Sequence, residues 1–243
     1  MKNRLVAAWL MMGWLPGHAV AGTLPALDAR FETIQCVLPC QSSVKREWLM
    51  MREATQVEIR DMHAAHSELW QRRQDGQLEY AYLLHEKQRA IDYTNIDLNL
   101  LGIASDDRQW QVLTQLVTQQ ELAGLDKRPG PPWQRMATDI YRGRLNGVDT
   151  EVTWIPALSI PLQLTYHYPG YQVKVKMVER YHQQLPVVKT TNGILHTYAH
   201  VDFTDIGDME HDRNALSWLD LASGGAPGLS LRHHAPGEHD HWQ

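Results

Sequence analysis

Along most of the chain, apolar and polar residues alternate with a period of two. Leu78, Tyr80, Tyr82 and Leu84 fall on one face of the run 77–84. That is the pattern of a half-buried strand. Asp75-Gly76 just before it is a hairpin signal joining it to a strand over 68–73. A short strand over 89–93 follows. The same alternation returns later. Tyr141 to Arg144 leads through the Asn146-Gly147 turn to a strand over 148–155, and Pro156 to Ser159 connects to the next. Ile160, Leu162, Leu164, Tyr166 and Tyr168 then alternate, Pro169-Gly170 turns the chain, and Tyr171, Val173, Val175 and Met177 continue. Hairpin following hairpin predicts an antiparallel sheet with one apolar face that something must cover.

Two segments break the period. Leu27 to Ile34 has helical tendency, and Pro39 stops any helix from running through both cysteines. Ser105-Asp106-Asp107 is an N-cap cluster, and Trp110, Leu113 and Val117 recur at helical spacing beyond it. This predicts one amphipathic helix over 106–123, ending near Gly124, whose apolar stripe covers the sheet. Residues 126–133 read as a Pro/Gly-rich connection. The expected fold class is therefore α+β, a curved antiparallel β-sheet with helices as its cover.

The two ends of the chain have their own character. Lys2 and Arg4, the apolar run from Leu5 to Leu15, and Ala19-Val20-Ala21 form the pattern of a secretory signal peptide over 1–21. The run is shorter than the roughly 20 residues of a membrane span. A single domain over 22–222 and a periplasmic location are the expectation. Residues 223–243 are rich in Gly, Pro and His and too poor in apolar residues to fold, so they read as a disordered tail. Without the signal the chain has 21 basic and 28 acidic residues, about −7 in all. That acidic balance argues against nucleic acid and against an anionic membrane surface as partners.

Candidate chemistry is sparse. Cys36 and Cys40 are the only cysteines. In an exported chain the default for so close a pair is a disulfide. A thioredoxin-like site has two intervening residues and this pair has three. Haem attachment wants a His after the second cysteine, and Gln41 stands there. A thiolate copper site remains the alternative and would need further ligands. His233, His234, His239 and His241 in the tail would bind copper or zinc weakly, without preformed geometry. His63 with His66 could share a helix face, and His196 with His200 a strand face. The acidic run 202–212 reads as a solvated loop capping a helix over 213–221, with calcium as the sharper alternative. His85-Glu86 lacks the second His of a zinc-protease helix, since Arg89 holds that place. With no G-x-S-x-G elbow, P-loop or dinucleotide fingerprint, no enzyme is expected and no cofactor is assigned.

One resemblance covers about half the chain, over 68–182. Leu69-Trp70-Gln71-Arg72, a turn, a strand with Tyr80, Ile91-Asp92-Tyr93, Asp97-Leu98 and a helix containing Trp110 come in order. Arg142-Gly143, Thr153-Trp154-Ile155-Pro156 and Ile160-Pro161-Leu162 follow. This order resembles the LolA-like superfamily of periplasmic proteins, which includes the outer-membrane lipoprotein carrier and lipoprotein-sensing regulatory proteins. The resemblance implies a half-barrel with helices as a lid on its concave face. It implies a role in holding an apolar or acylated ligand, as a carrier, sensor or accessory factor, with another envelope protein as a further partner. The face of Trp154, Ile160, Leu162, Leu164 and Tyr166, with Trp110 opposite, is the expected lining. The other reading of that face is solid core, which would leave an interaction module. Metal handling through the cysteines and the tail is the third reading.

Overall fold

The computed structural model describes residues 24–208. Twelve strands form one curved, open sheet in the order β12-β6-β5-β4-β3-β2-β1-β11-β10-β9-β8-β7. They are β1 (Leu27–Val37), β2 (Ser43–Arg52), β3 (Gln56–Asp61), β4 (His66–Arg72), β5 (Leu78–Leu84), β6 (Arg89–Tyr93), β7 (Asp126–Pro129), β8 (Asp139–Leu145), β9 (Val148–Ile155), β10 (Ile160–Tyr168), β11 (Tyr171–Tyr181) and β12 (Ala199–Asp202). Neighbours pair antiparallel except β12, which lies parallel to β6. The short helices are α1 (Asn95–Leu100), α2 (Asp107–Gln115), α3 (Gln119–Ala123), α4 (Asn192–Leu195) and α5 (Phe203–Asp208). The α+β curved sheet is the fold that the alternating pattern predicts.

Four local expectations are corrected. Leu27–Val37 is a strand and not a helix. Leu27, Phe31 and Ile34 fit a helical spacing, but Leu27, Ala29, Phe31 and Thr33 fit a period of two, and they are the buried ones. β1 sits centrally, paired on both sides by β2 and β11, and this pairing overrides the local tendency. The helix over 106–123 is two helices. Leu116 takes a left-handed conformation at φ 65°, and Thr118 then starts α3 with a capping box, its hydroxyl accepting from the Glu121 amide while Glu121 accepts from its own. Residues 126–129 are not a bare connection but the edge strand β7, its four residues all exposed. Pro129 is tolerated there because it ends an edge. Lastly, the described part of the acidic run is not a solvated loop. Asp202 ends β12, and 203–208 form α5, where Phe203 stacks on Tyr93 and Ile206 is fully buried. The rest of that run, the expected helix over 213–221 and the tail lie outside the described residues.

The core lies on the concave face. Strand residues of one parity (Phe31, Trp48, Ile59, Trp70, Tyr82) meet Leu98 of α1, Trp110 and Leu113 of α2, Leu122 of α3 and Ile206 of α5 in one buried cluster. Phe31 stacks on Trp48 and Trp70 on Tyr80, with ring centroids 4.6 and 4.4 Å apart. The outer face is covered in part as well. Residues 189–198 cross it as a strap, and Leu195 and Tyr198 pack on Leu69, Ala81, Leu83 and Ala90. The chain then turns the sheet edge as β12 and re-enters the concave side as α5.

Candidate functional site

The pocket opens on the concave side, between the helical cover and strands β7–β9. Its volume is about 730 Å³, within the usual range of small-molecule sites. Helix α2 presents Trp110, Gln111 and Gln115 to it, and α3 presents Gln119. Gln111 and Gln115 stand one turn apart on α2, and Gln119, across the break at Leu116, donates to Gln115 at 3.1 Å. The sheet contributes Trp154 from β9 and Tyr141 from β8. Arg72, Lys127 and Asp139 stand at the polar side. Arg72 is ion-paired with Asp107. Lys127 lies 2.8 Å from Asp139 and 5.7 Å from the Tyr141 ring centre. The Asp139 hydrogen bond holds the Lys127 ammonium above its ordinary pKa. One wall is therefore indole and phenol, and the other is amide and charge. That lining suits a molecule with an apolar body and a polar end.

The lining expected from the sequence divides. Trp110 and Trp154 both border the pocket. Ile160 and Leu164 are sealed in the core, and Leu162 and Tyr166 are half-buried against it. A bulge between Pro161 and Gln163 shifts the β9–β10 register, so residues 160–166 do not form one continuous wall.

Arg52, unremarked in the sequence, holds the site together. It ends β2 on the concave face and is completely buried. Its guanidinium donates to four carbonyls: Thr114 and Leu158, each at 2.5 Å, and Ser159 and Pro25, each at 3.2 Å. Burial lowers its pKa to about 10, so it stays charged at neutral pH. These bonds tie the C-terminal end of α2, the turn after β9 and the N-terminal segment to one side chain. A cation is suited to the C-terminal carbonyls of a helix, and here it fixes one wall of the pocket. The available signal was a lone arginine closing the apolar run Trp48-Leu49-Met50-Met51.

A second polar cluster lies on the outer face under the strap. Arg60 donates to Glu58 at 2.9 and 2.6 Å, and the Thr190 amide donates to the other Glu58 oxygen at 3.0 Å. Burial would raise the Glu58 pKa, but His85, Arg60 and the Thr190 amide outweigh it and bring the carboxyl down to about 2. The His85 ring nitrogens lie 2.8 Å from the Ser67 and Tyr198 hydroxyls. Ser67 and His85 are spaced like a nucleophile and its base. However, Ser67 is fully buried, and Glu58 approaches the same ring nitrogen as Ser67, at 3.6 Å, rather than the opposite one. A triad needs the acid behind the ring. This cluster fastens the strap.

The remaining candidates fall apart in space. Cys36 and Cys40 are joined by a disulfide, with an S–S distance of 2.03 Å, so neither presents a thiolate. His63 lies in the β3–β4 turn and His66 opens β4, so they share no helix. Burial lowers the His66 pKa. His196 ends α4 while His200 lies in β12, 2.6 Å from Asp92, so they share no strand face. Among the described residues no three His, Cys, Asp or Glu side chains gather to hold a metal. His233, His234, His239 and His241 lie outside the described residues.

No family model and no curated protein matches the chain. Two solved structures of PNGF-II, in C2 and P21 crystal forms, each superpose with a TM-score of 0.40 at 8% identity. They match 76% of this chain, which spans only about a third (32% and 33%) of theirs. A domain named for outer membrane lipoprotein sorting, from Vibrio parahaemolyticus, gives a TM-score of 0.28 at 7% identity, over 64% of this chain and 84% of its own. Likeness at this level assigns neither a family nor an activity. Among the described residues, no helix is long and apolar enough to cross a membrane.

Proposed function

We propose that this chain is a periplasmic binding protein that holds an acylated or otherwise apolar ligand with a polar end, as a carrier, sensor or accessory factor, without covalent chemistry. The observation that carries this reading is the pocket of about 730 Å³ walled by Trp110 and Trp154 and rimmed by three glutamines. An apolar segment against the two indoles gains roughly 0.8 kcal/mol per buried methylene. Eight to ten methylenes then give about 6–8 kcal/mol before the cost of association, so affinities no tighter than about micromolar are expected. The polar end would meet Gln111, Gln115 and Gln119.

The packed core limits the ligand. Phe31, Trp48, Trp70 and Tyr82 fill the middle of the concave face, so the ligand occupies the β7–β9 end and not the length of the sheet. Isothermal titration with decanoate and dodecanoate tests the reading. Ala54 is exposed and borders the pocket, so Ala54→Trp fills the space without removing core contacts. Saturable 1:1 binding that Ala54→Trp weakens at least tenfold supports the proposal. Binding that ignores Ala54→Trp, or no binding, rejects it.

A further inference from the structure

The tips of two neighbouring hairpins carry the concave face of the sheet beyond its core. Val37 at the end of β1 pairs with Tyr171 at the start of β11, Gln35 pairs with Val44 of β2, and Tyr168 pairs with Tyr171 across the β10–β11 turn. Val37, Val44, Tyr168 and Tyr171 therefore lie on one face, as an apolar and aromatic strip. Val37 is 70% exposed and Val44 65%, and Leu38, at the tip itself, is 51% exposed. The two tips are held to each other. The Leu38 amide donates to the Gly170 carbonyl at 2.9 Å, Tyr168 and Tyr171 stack 4.5 Å apart, and the Cys36–Cys40 disulfide closes the β1–β2 turn. Fixed apolar side chains held out on hairpin ends are the kind of exposed patch that marks a docking surface.

Charge says what the surface meets. The chain is net negative, −5 by formal count. Yet residues 35–46 contain no carboxylate and two cations, Lys45 and Arg46, and residues 160–178 contain none and two more, Lys174 and Lys176. Lys45 is held by Glu32 and Glu47, at 2.7 and 2.8 Å. Arg46, Lys174 and Lys176 make no ion pair among the described residues. These two stretches are therefore positive; Glu32 opposite Lys176 and Glu47 beside Lys45 lie further back on the strands, and Asp149 opposite His167 is ion-paired with Arg144. Apolar residues at the extreme tip, tyrosines at its shoulder and cations a few residues behind match the order of layers in a bilayer surface: acyl boundary, interface, anionic headgroups.

We infer that the paired tips, through Val37, Leu38 and Val44 with Tyr168 and Tyr171 behind them, dock the protein on a bilayer containing anionic lipid. The test is co-sedimentation of the full chain with vesicles of phosphatidylcholine alone and of phosphatidylcholine with a quarter phosphatidylglycerol, at low and high salt. Binding to the phosphatidylglycerol vesicles is expected, weakened by salt because the cations contribute. The double substitution Val37→Asp with Leu38→Asp should cut the partition coefficient at least tenfold. Both positions are exposed, so the near-UV circular dichroism should not change, and Val44→Asp provides an independent variant. Three results overturn the inference: wild type left in the supernatant with both vesicles, variants that sediment as wild type does, or a wild-type dimer by light scattering that the tip substitutions turn into a monomer. Equal loss of sedimentation in Ala54→Trp would also overturn it, by assigning the contact to lipid taken up in the pocket.

Discussion

Replacing Arg52 with methionine removes the one buried cation that fastens the helical cover to the sheet. Methionine keeps an unbranched chain of similar length, so it fills much of the same space. What is lost is four donated bonds, two of them at 2.5 Å. Each buried carbonyl left without a donor costs about 1–3 kcal/mol. Against this, removing a buried charge that has no counter-ion among the described residues recovers several kcal/mol of desolvation. The balance is a loss of roughly 3 kcal/mol. For a domain of this size about 1 kcal/mol moves the melting temperature by roughly 2–4 °C, so Arg52→Met should melt about 6–12 °C lower. Arg52→Lys, which keeps charge but not the planar fork, should fall between. The loss should be uneven. Thr114 is at the end of α2, so amides of α2 should lose hydrogen-exchange protection before those of β4 and β5. Calorimetry and exchange on the same samples read both effects. A melting temperature within about 2 °C of wild type, or α2 protection unchanged, refutes the assignment of Arg52 as the anchor of the pocket wall.

Other outcomes follow from the same geometry. Glu58 is a stronger acid folded than unfolded, so its stabilisation is complete above the unfolded value of about 4.3 and is lost as pH falls towards about 2. The difference is roughly 3 kcal/mol, and Glu58→Gln should flatten the fall in urea midpoint between pH 6 and pH 3; an unchanged acid slope would count against it. For His200, burial lowers the pKa, but the hydrogen bond to Asp92 and the Leu195 carbonyl outweigh it and raise it overall. Its contribution is therefore complete below the unfolded pKa of about 6.5 and is lost as pH rises through the higher folded one, so protection factors in β12 should drop as pH is raised above neutrality in wild type and stay level in His200→Ala. Gly130→Ala would drive a Cβ into the Thr138 hydroxyl; a lowered melting temperature is expected, and wild-type stability would mean that the β7–β8 end relaxes freely.

The strands were legible wherever burial and local signals agree. Leu78, Tyr80, Tyr82 and Leu84 line the core face as their spacing says, although Ala81 and Leu83 are buried on the other face too, and Asn146-Gly147, with φ of 50° and 83°, is the positive-φ turn its sequence announces. β1 was not legible, because Leu27 and Phe31 satisfy helix and strand spacing alike and only pairing on both sides decides. The break between α2 and α3 was readable after the fact: Thr118-Gln119-Gln120-Glu121 is a capping-box signature inside an apolar stripe that runs on without pause. The strap on the outer face left almost no trace, since it packs on the outer-face cluster through Leu195 and Tyr198 and is otherwise fixed by hydrogen bonds to distant strands and by the ion pairs of Lys189 with Asp28 and Glu53. Its anchor did leave one. Glu58 and Arg60 stand two apart on a strand, so they share a face, and a charged pair on a strand between apolar residues is paired or buried. For the site, the tryptophans could be picked out by residue type, whereas Arg52, Gln115 and Gln119 could not, because their partners lie 4 to 107 residues away.

Whether the Trp110–Trp154 pocket takes a ligand decides between a binding protein and a solid core. Native mass spectrometry of protein purified without detergent, followed by denaturing spectrometry of the same sample, addresses this most directly. An added mass in the lipid range that disappears on denaturation, together with one equivalent of dodecanoate taken up by wild type and not by Ala54→Trp, is the predicted result. Bare protein that takes up no dodecanoate, or equal uptake by wild type and Ala54→Trp, would contradict it.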